Sequence, residues 1–458
     1  MSQGGDARSP RGPALLHSAV AAATAVNGLN STMMAAVLLT VGSTLGLGDS
    51  VVWLVTSFYL ASAVGLPVFG RLADGWGSRN VLTLGLCLVV VGALGALVHD
   101  SLGWLVAMRV LIGLGSSTAY PSSTSMLKGR AAASGSSTMG GLTIIALSAQ
   151  TTVMVAPALG ALLVATFGWQ GLFLVNVPLA LYALVVARST FPPTPGSGAP
   201  HRGLGAIVRS AVFFCGAVTC LLLALSSFPG RTWVLWLALG LVLALAYTAS
   251  ERRSPVPFID LAALRGHPVA LAAILRQGGI MFLLYSTLYG IPVWMERSRG
   301  LDPAVIGTVL VPLAGAGVVS TLLAPRLLSR WSAPVVIGAG VAVLVVVCSL
   351  LALTGPRASL PWLVVMLTLL GLPNGLFLLG NQSVFLEAVP QEVVGVASGL
   401  LRTSQYVTAS LAMVTVSQTS RLTSGPDQAL ALLLGLVMAV GCLLVVELTL
   451  TQRRFGSR

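Results

Sequence analysis

The stretch Gly-Arg-Leu-Ala-Asp-Gly-Trp-Gly-Ser-Arg, residues 70–79, is a charged, glycine-rich island between two long apolar runs. The runs 51–69 and 80–98 are each long enough, at about 1.5 Å per residue, to cross a hydrocarbon core of about 30 Å as a helix. The island therefore lies at a membrane surface, held between two spanning helices.

Composition extends this reading to the whole chain of 458 residues. Hydrophobic residues make up 56% and charged residues 8%, whereas soluble domains carry about 25% charged residues. Spanning β-strands need only about 9–11 alternating residues, so the longer continuous runs favour helices, and the polar, Pro- and Gly-rich start argues against a cleavable signal peptide. We predict an all-α integral membrane protein of about fourteen transmembrane helices, near 17–42, 51–70, 80–99, 101–126, 139–167, 170–188, 209–228, 232–250, 270–295, 304–325, 333–354, 361–386, 395–420 and 429–451.

The basic residues predict the orientation. If both termini face the cytoplasm, most of the 25 Lys and Arg residues lie on that side, as the positive-inside rule requires. This arrangement also explains the net charge of +13 without nucleic acid, because the chain lacks a soluble basic face. We expect the lipid bilayer and a small-molecule substrate as partners, no nucleic acid, and a monomer.

Two longer polar stretches divide the chain, and a sparse internal repeat supports the division. Aligning Arg71 with Arg326 also brings Trp76 onto Trp331 and Gly140 onto Gly395. Duplicated halves of this kind place a substrate site at their interface near the bilayer midplane. The predicted order is two six-helix pseudo-repeats with two inserted helices between them: tail 1–16, bundle 17–188, linker 189–208, helix pair 209–250, linker 251–269, bundle 270–451 and tail 452–458.

Metal and cofactor chemistry find no support in the sequence. The five cysteines lie in apolar runs without CxxC spacing, and the four histidines stand singly, so no ligand set for a metal is formed. No run carries a cluster of His, Asp or Cys, which argues against a membrane enzyme. A non-transporting sensor or scaffold remains an alternative, although no sizeable soluble domain is apparent.

Four motifs carry a resemblance to a known family. Residues 70–79 resemble the loop between the second and third helices of the major facilitator superfamily, and Arg109-Val-Leu-Ile-Gly113 resembles its motif in the fourth helix. Ala156-Pro157-Ala158-Leu159-Gly160-Ala161 is similar to the antiporter motif, with alanine at two positions usually occupied by glycine. The segment from Trp169 to Pro178 is similar to the entry of the sixth helix. The chain thus resembles the fourteen-helix drug/proton antiporter family.

The resemblance implies roles for these residues. Gly70, Arg71, Asp74, Gly77 and Arg79 would form a cytoplasmic gating loop, in which Asp74 contacts the facing half and holds one access state. A helix cap with basic anchors is the simpler alternative. Pro157 and Gly160 would hinge or seal the opposite end, although such kinks are also common structural features.

Polar residues inside the runs are candidates for coupling or for the transport pathway. Arg109 must face protein or water, because a buried guanidinium costs at least about 2.5–3.5 kcal/mol. Arg109 and Arg402 therefore either take part in transport or only support helix packing. Gly113 permits a neighbouring helix to approach closely beside Arg109. The predicted set is Asn30, Arg109, Gly113, Gln150, Arg402 and Gln405.

The first helix departs from the family in a residue that bears on coupling. Leu29-Asn30-Ser31-Thr32 stands where the family usually has Leu-Asp-Ser/Thr, and Asn30 cannot carry a proton. The remaining candidate proton carriers are Asp74, Glu296, Glu387 and Glu447, of which Glu447 alternatively snorkels to the surface. A cavity without a carboxylate favours a neutral or anionic amphipathic substrate, on which tyrosines such as Tyr59 and Tyr285 could stack.

These observations lead to one expected function. We expect a secondary active exporter of a small amphipathic drug or metabolite, working by alternating access in exchange for protons, in the plasma (inner) membrane of a bacterium. A proton-independent facilitator or an importer of the same fold is the transport alternative.

Overall fold

The computed structural model describes residues 11–123, 159–190, 204–254, 267–355, 358–389 and 394–455, with the isolated positions 126, 148, 151–152 and 155–156. Within these ranges the chain is helical and has no strand. The helices are α1 (Arg11–Ala36), α2 (Leu38–Thr44), α3 (Val52–Trp76), α4 (Ser78–Gly95), α5 (Leu102–Ser117), α6 (Gly171–Leu174), α7 (Asn176–Thr190), α8 (Leu204–Ser227), α9 (Trp233–Arg253), α10 (Pro268–Arg299), α11 (Pro303–Leu328), α12 (Ala333–Thr354), α13 (Leu360–Ala388), α14 (Val394–Leu422) and α15 (Pro426–Phe455).

Eleven helical segments of the described chain are long and apolar enough to cross a membrane. Helices are the expected solution, because each backbone polar group must find its hydrogen-bond partner within the segment when no water is present. The predicted run 17–42 is broken into α1 and α2, and much of the predicted run 139–167 lies outside the described residues. The multi-pass helical prediction is confirmed, whereas the count of fourteen and the repeat arrangement stay predictions.

The turn inside the 70–79 island depends on a glycine. Gly77 separates α3 from α4 and has a φ of 87°, a left-handed conformation that side chains with a Cβ rarely adopt. Its N–H closes α3 by donating to the carbonyl of Ala73 at 2.9 Å. The island is therefore shorter than the loop that the sequence predicts, because α3 continues through Trp76 and Gly77 alone joins it to α4.

The helices pack in two halves, which we call the N-terminal half (residues 11–190) and the C-terminal half (residues 268–455). In the N-terminal half α3 packs on α5, α4 packs on both α5 and α7, and α1 packs on α7. In the C-terminal half α11 packs on α13, and α10 packs on both α14 and α15. Between the halves the main contact is α3 against α14, and α8 packs on both of these helices while pairing with α9. A site formed at this interface therefore draws residues from both halves.

Candidate functional site

The centre of the N-terminal half holds a buried arginine whose donors are satisfied by neutral groups. Arg109, on α5, is 2% exposed. Its Nε donates to the carbonyl of Leu54 at 2.7 Å, and its two terminal nitrogens donate to the side-chain and main-chain oxygens of Asn30 at 2.9 and 3.0 Å. The guanidinium also lies 4.7 Å from the ring centroid of Phe58. Charge-assisted bonds to three oxygens offset part of the cost of removing the guanidinium from water. Because these oxygens belong to Asn30 on α1 and Leu54 on α3, Arg109 ties α5 to both helices.

Asn30 extends this network to α7. Its side-chain nitrogen donates to Asn176 Oδ1 at 2.5 Å and to the Val26 carbonyl at 2.8 Å. The amide nitrogen of Asn176 in turn donates to the carbonyls of Leu172 and Phe173. Asn30 thus acts at once as acceptor for a cation and as donor to an amide, which a carboxylate at this position could not do.

Gly113 lies where α5 meets α3 at close range. A Cβ at this position would stand 2.6 Å from the Phe58 carbonyl oxygen and 2.9 Å from Ala61 Cβ. The glycine therefore allows the helix approach that brings Arg109 to Leu54. The structure brings together three of the predicted coupling residues, Asn30, Arg109 and Gly113.

A pair of tyrosines joins the two halves. The hydroxyls of Tyr59, on α3, and Tyr289, on α10, lie 2.5 Å apart, and both side chains are fully buried. The same hydroxyls reach the main-chain carbonyl of Ser31, at 2.5 Å from Tyr59 and 3.3 Å from Tyr289. We call Tyr59, Tyr289 and Ser31 the tyrosine bridge. It closes the interface between α1, α3 and α10.

Two further tyrosines continue this aromatic cluster. The ring of Tyr285 stacks on Tyr289, with centroids 5.4 Å apart and an interplanar angle of 23°, and the Tyr406 ring lies 5.9 Å from Tyr59. The Asn27 amide nitrogen donates to the Tyr406 hydroxyl at 3.2 Å, which gives another contact between the halves. Tyr285 is half-buried, unlike the tyrosines of the bridge.

Next to the aromatic cluster lies a second arginine that crosses the interface. The Arg402 guanidinium carbon, on α14, lies 4.5 Å from the ring centroid of Tyr120, which belongs to the N-terminal half. One of its terminal nitrogens donates to Gln405 Oε1 at 3.4 Å. Tyr285 lies in the same part of the interface, because its ring is 5.6 Å from Tyr59 and the Tyr59 ring is 5.9 Å from Tyr406, one turn after Arg402. These four side chains, Tyr120, Arg402, Gln405 and Tyr285, are half-buried, and we call them the arginine–tyrosine site.

The C-terminal half holds a third arginine, which pairs with a carboxylate. Arg276, on α10, is 2% exposed, and its Nε lies 3.1 Å from Glu447 Oε2 on α15. Near Arg276 on the same helix, the Ala273 carbonyl and Gln277 Oε1 accept hydrogen bonds from the amide nitrogen of Asn381 on α13, at 2.9 and 2.8 Å. Of the predicted carriers, Glu447 is therefore the one held against a buried cation in the described chain. Arg276 is not in the predicted set of pathway residues, although an arginine inside the apolar segment Ala-Ala-Ile-Leu-Arg-Gln is a usable signal.

The other candidate carboxylates have different surroundings. Glu296, near the end of α10, is half-buried and accepts a hydrogen bond from Thr40 at 3.4 Å, so it contributes another contact between the halves. Glu387, near the end of α13, is exposed. Neither lies in the arginine–tyrosine site.

The island 70–79 lies at the junction of α3 and α4. Gly70 has open space where a Cβ would point, and Arg79 donates to the Arg188 carbonyl at the end of α7 at 2.6 Å. Arg71 and Asp74 belong to α3, but their side chains lie outside the described part of the structure, so the latch stays a prediction.

The antiporter-like segment is described only in part. Gln150 and Pro157 lie outside the described residues. At Gly160 a Cβ would stand 2.8 Å from the Met33 carbonyl oxygen, so this segment and α1 approach closely. Among the described residues no group of His, Cys, Asp and Glu is arranged to hold a metal ion.

Comparison with protein families gives a match over most of the chain. Residues 20–413 match the Major Facilitator Superfamily. The matched region includes the 70–79 island, Arg109, the tyrosine bridge and Arg402.

Individual proteins agree with this match. The chain is 30% identical to the uncharacterised MFS-type transporter YwoD of Bacillus subtilis, with 89% of this chain and 90% of the relative covered. It is 29% identical to the tetracenomycin C resistance and export protein of Streptomyces glaucescens, with 78% and 66% covered. The fold is similar to the crystal structure of the POT family transporter PepTSo, with a TM-score of 0.69 at 16% identity, covering 97% of this chain and 99% of that one.

Proposed function

This chain belongs to the major facilitator superfamily, and on that basis we propose that it is a secondary active exporter that exchanges a small amphipathic molecule for protons. Its relatives are multi-pass membrane transporters and not enzymes. The fourteen-helix antiporter subfamily, the export direction and the use of protons are parts of the proposal.

The observation that carries the proposal is the interface between the halves. It combines the hydrogen-bonded tyrosine bridge with the half-buried polar arginine–tyrosine site beside it. Alternating access needs contacts that exist in one state and break in the other, because only differential interactions shift an equilibrium between conformations. The contacts Tyr59–Tyr289 and Thr40–Glu296 join different halves and are suited to that purpose. If both termini are cytoplasmic, these contacts close the outer side and the arginine–tyrosine site faces inward.

Glu447 is our choice among the predicted proton carriers. Its ion pair with Arg276 joins α10 to α15, and protonation of the carboxylate would remove the charge that neutralises a buried guanidinium. The protonation state of Glu447 would thus alter how these two helices pack. The export direction is supported by the Streptomyces relative, which is a resistance and export protein.

The test is gradient-driven transport by purified protein in proteoliposomes. The probes are one cationic, one neutral and one anionic amphiphile. We expect at least one of them to accumulate when a pH gradient is imposed and to stop accumulating when the gradient is collapsed. Failure of every class to cross faster than in protein-free vesicles would contradict the proposal.

A proton-independent facilitator is the second candidate, and Asn30 favours it. The amide occupies the centre of the Arg109 network and has no proton to exchange. Equilibration of substrate regardless of the pH gradient would identify this alternative.

A further inference from the structure

We propose that the arginine–tyrosine site binds a planar aromatic anion, and that the membrane potential therefore helps to drive its export. This inference rests on the proposed export function and deepens it by giving the charge and shape of the substrate. The cargo would present a sulfonate, carboxylate or phenolate group to Arg402 and an aromatic face to Tyr285.

The charge of the arginine–tyrosine site favours an anion. Arg402 contacts the ring of Tyr120 and the amide of Gln405, and it has no carboxylate partner among the described residues. The guanidinium is half-buried and so keeps access for a ligand while it is partly removed from bulk water. A cation held by neutral groups attracts an anion and repels a cation, and a planar fork of N–H donors matches an oxyanion in particular.

The side chains of the arginine–tyrosine site favour a planar ligand. Tyr285 is half-buried and its ring stacks on Tyr289, and the ring of Tyr120 lies beneath the Arg402 guanidinium. Stacked tyrosines backed by a rigid partner favour flat ligands, because aromatic pairs prefer offset stacking. The Tyr59 ring lies 5.6 Å from Tyr285 and 5.9 Å from Tyr406, and Tyr406 follows Arg402 by one turn of α14, so ring and charge lie in the same part of the interface.

The membrane potential favours export of an anionic substrate. Export of an anion from a cell that is negative inside moves charge in the favourable direction even when no proton is exchanged. The potential contributes a factor of about 50 per elementary charge at 100 mV. The absence of a carboxylate at Asn30 is then compatible with concentrative export, since an anionic cargo needs less help from protons than a cationic one.

The binding test uses three bicyclic aromatic probes of similar size and different charge, together with a smaller non-planar anion. They are naphthalenesulfonate, the neutral naphthalenesulfonamide, the cation N-methylquinolinium and the non-planar anion cyclohexanesulfonate. By calorimetry on the purified full chain we expect naphthalenesulfonate to bind at least about tenfold more tightly than the other three. R402Q should weaken its binding by at least about tenfold, R402K by less, and Y285L should remove the preference over cyclohexanesulfonate.

The matched control is R421Q, which changes an exposed arginine on the same helix and should leave binding unchanged. Melting temperatures show whether each variant is folded. If R402Q does not fold, the ranking of the four probes on the unchanged protein still decides the matter. Equal or tighter binding of the sulfonamide or of N-methylquinolinium, or unaltered binding by folded R402Q, would overturn the inference.

The transport test separates this inference from the proposed function. With a potassium diffusion potential and no pH gradient, naphthalenesulfonate should accumulate on the positive side, and the sulfonamide should respond at least about tenfold less. Gradient-driven accumulation of N-methylquinolinium without movement of naphthalenesulfonate would leave the export function standing and overturn the inference. Tight, Arg402-dependent binding of naphthalenesulfonate without transport of any probe would support the site and contradict the export function.

Discussion

Arg109 donates to both the side-chain and the main-chain oxygen of Asn30, so that one guanidinium holds α1 against α5 at the centre of the N-terminal half. The third donor, Nε, fixes α3 through the Leu54 carbonyl. This geometry uses the planar fork of arginine and an acceptor that remains neutral.

Arg109→Lys should destabilise the protein although the charge is kept. A single ammonium cannot reach the three oxygens in the directions that the guanidinium uses, and lost bonds to a buried charge cost about 1.5–3 kcal/mol each. We expect a melting temperature several degrees lower in detergent and a loss of transport. Arg209→Lys, a change near the start of α8, is the control, and an unchanged melting temperature for Arg109→Lys would contradict the prediction.

Asn30→Asp should pair Arg109 with a carboxylate but break the bond to Asn176. In the unchanged protein the Asn30 amide nitrogen donates to Asn176 Oδ1. An ionised aspartate at position 30 would place two acceptor oxygens against each other. We expect lower stability, by about 1–3 kcal/mol, together with pH-dependent transport. Asn80→Asp, at an exposed position, is the control. A variant as stable as the unchanged protein, with the same pH profile, would show that the donor function of Asn30 is unimportant.

Tyr59→Phe should increase the fraction of molecules whose outer side is open. The variant keeps the ring but removes the hydroxyl that contacts Tyr289 and Ser31, and a neutral hydrogen bond contributes about 0.5–1.5 kcal/mol. In a background without the five native cysteines, a cysteine at position 31 should react several-fold faster with a reagent added outside. The control is Tyr182→Phe, which removes an exposed hydroxyl bonded to Ser18 and should leave the rate of cysteine labelling unchanged. An unchanged labelling rate in Tyr59→Phe would show that the tyrosine bridge does not act as a gate.

Gly113→Ala should separate α5 from α3. The added methyl would meet the Phe58 carbonyl oxygen at 2.6 Å, and overpacking of this kind costs about 1–3 kcal/mol. Gly103→Ala is a matched control on the same helix, because its Cβ would have nothing within 4 Å. We expect a lower melting temperature for the first variant and no decrease for the second. Equal melting temperatures would contradict the close approach of the two helices.

The sequence predicted those features of this molecule that depend on local chemistry. Long apolar runs indicated the multi-pass helical class, the charged island at 70–79 indicated the junction between two spanning helices, and the energetic cost of a buried charge required protein or water around Arg109. The partner of Arg109 could not be predicted, because Asn30 is 79 residues away and helix packing alone brings the two together.

The interface between the halves was even less accessible to sequence reasoning. Tyr59 and Tyr289 are 230 residues apart, and each is compatible with a lipid-interface position when seen alone. Arg276 lies near the start of an apolar helix, where arginines commonly snorkel, so its burial against Glu447 was missed. Helix contacts, and not residue patterns, decide these pairings.

Glu447→Gln should abolish the coupling of transport to the pH gradient while leaving exchange of substrate across the membrane. An amide keeps the shape of the side chain but cannot gain or lose a proton, and it leaves Arg276 without its charged partner. Glu387→Gln, a change at an exposed carboxylate, is the matched control and should behave like the unchanged protein. Full gradient-driven accumulation by Glu447→Gln would exclude Glu447 as the carrier.

The central claim, exchange of substrate for protons, is tested most directly by recording the pH inside proteoliposomes while substrate is added outside, with no gradient imposed. We predict that substrate entry drives protons out, so that the interior becomes more alkaline at a rate that follows substrate uptake, and that Glu447→Gln removes this change. Substrate entry at an unchanged internal pH in the unaltered protein would contradict proton exchange and identify a facilitator.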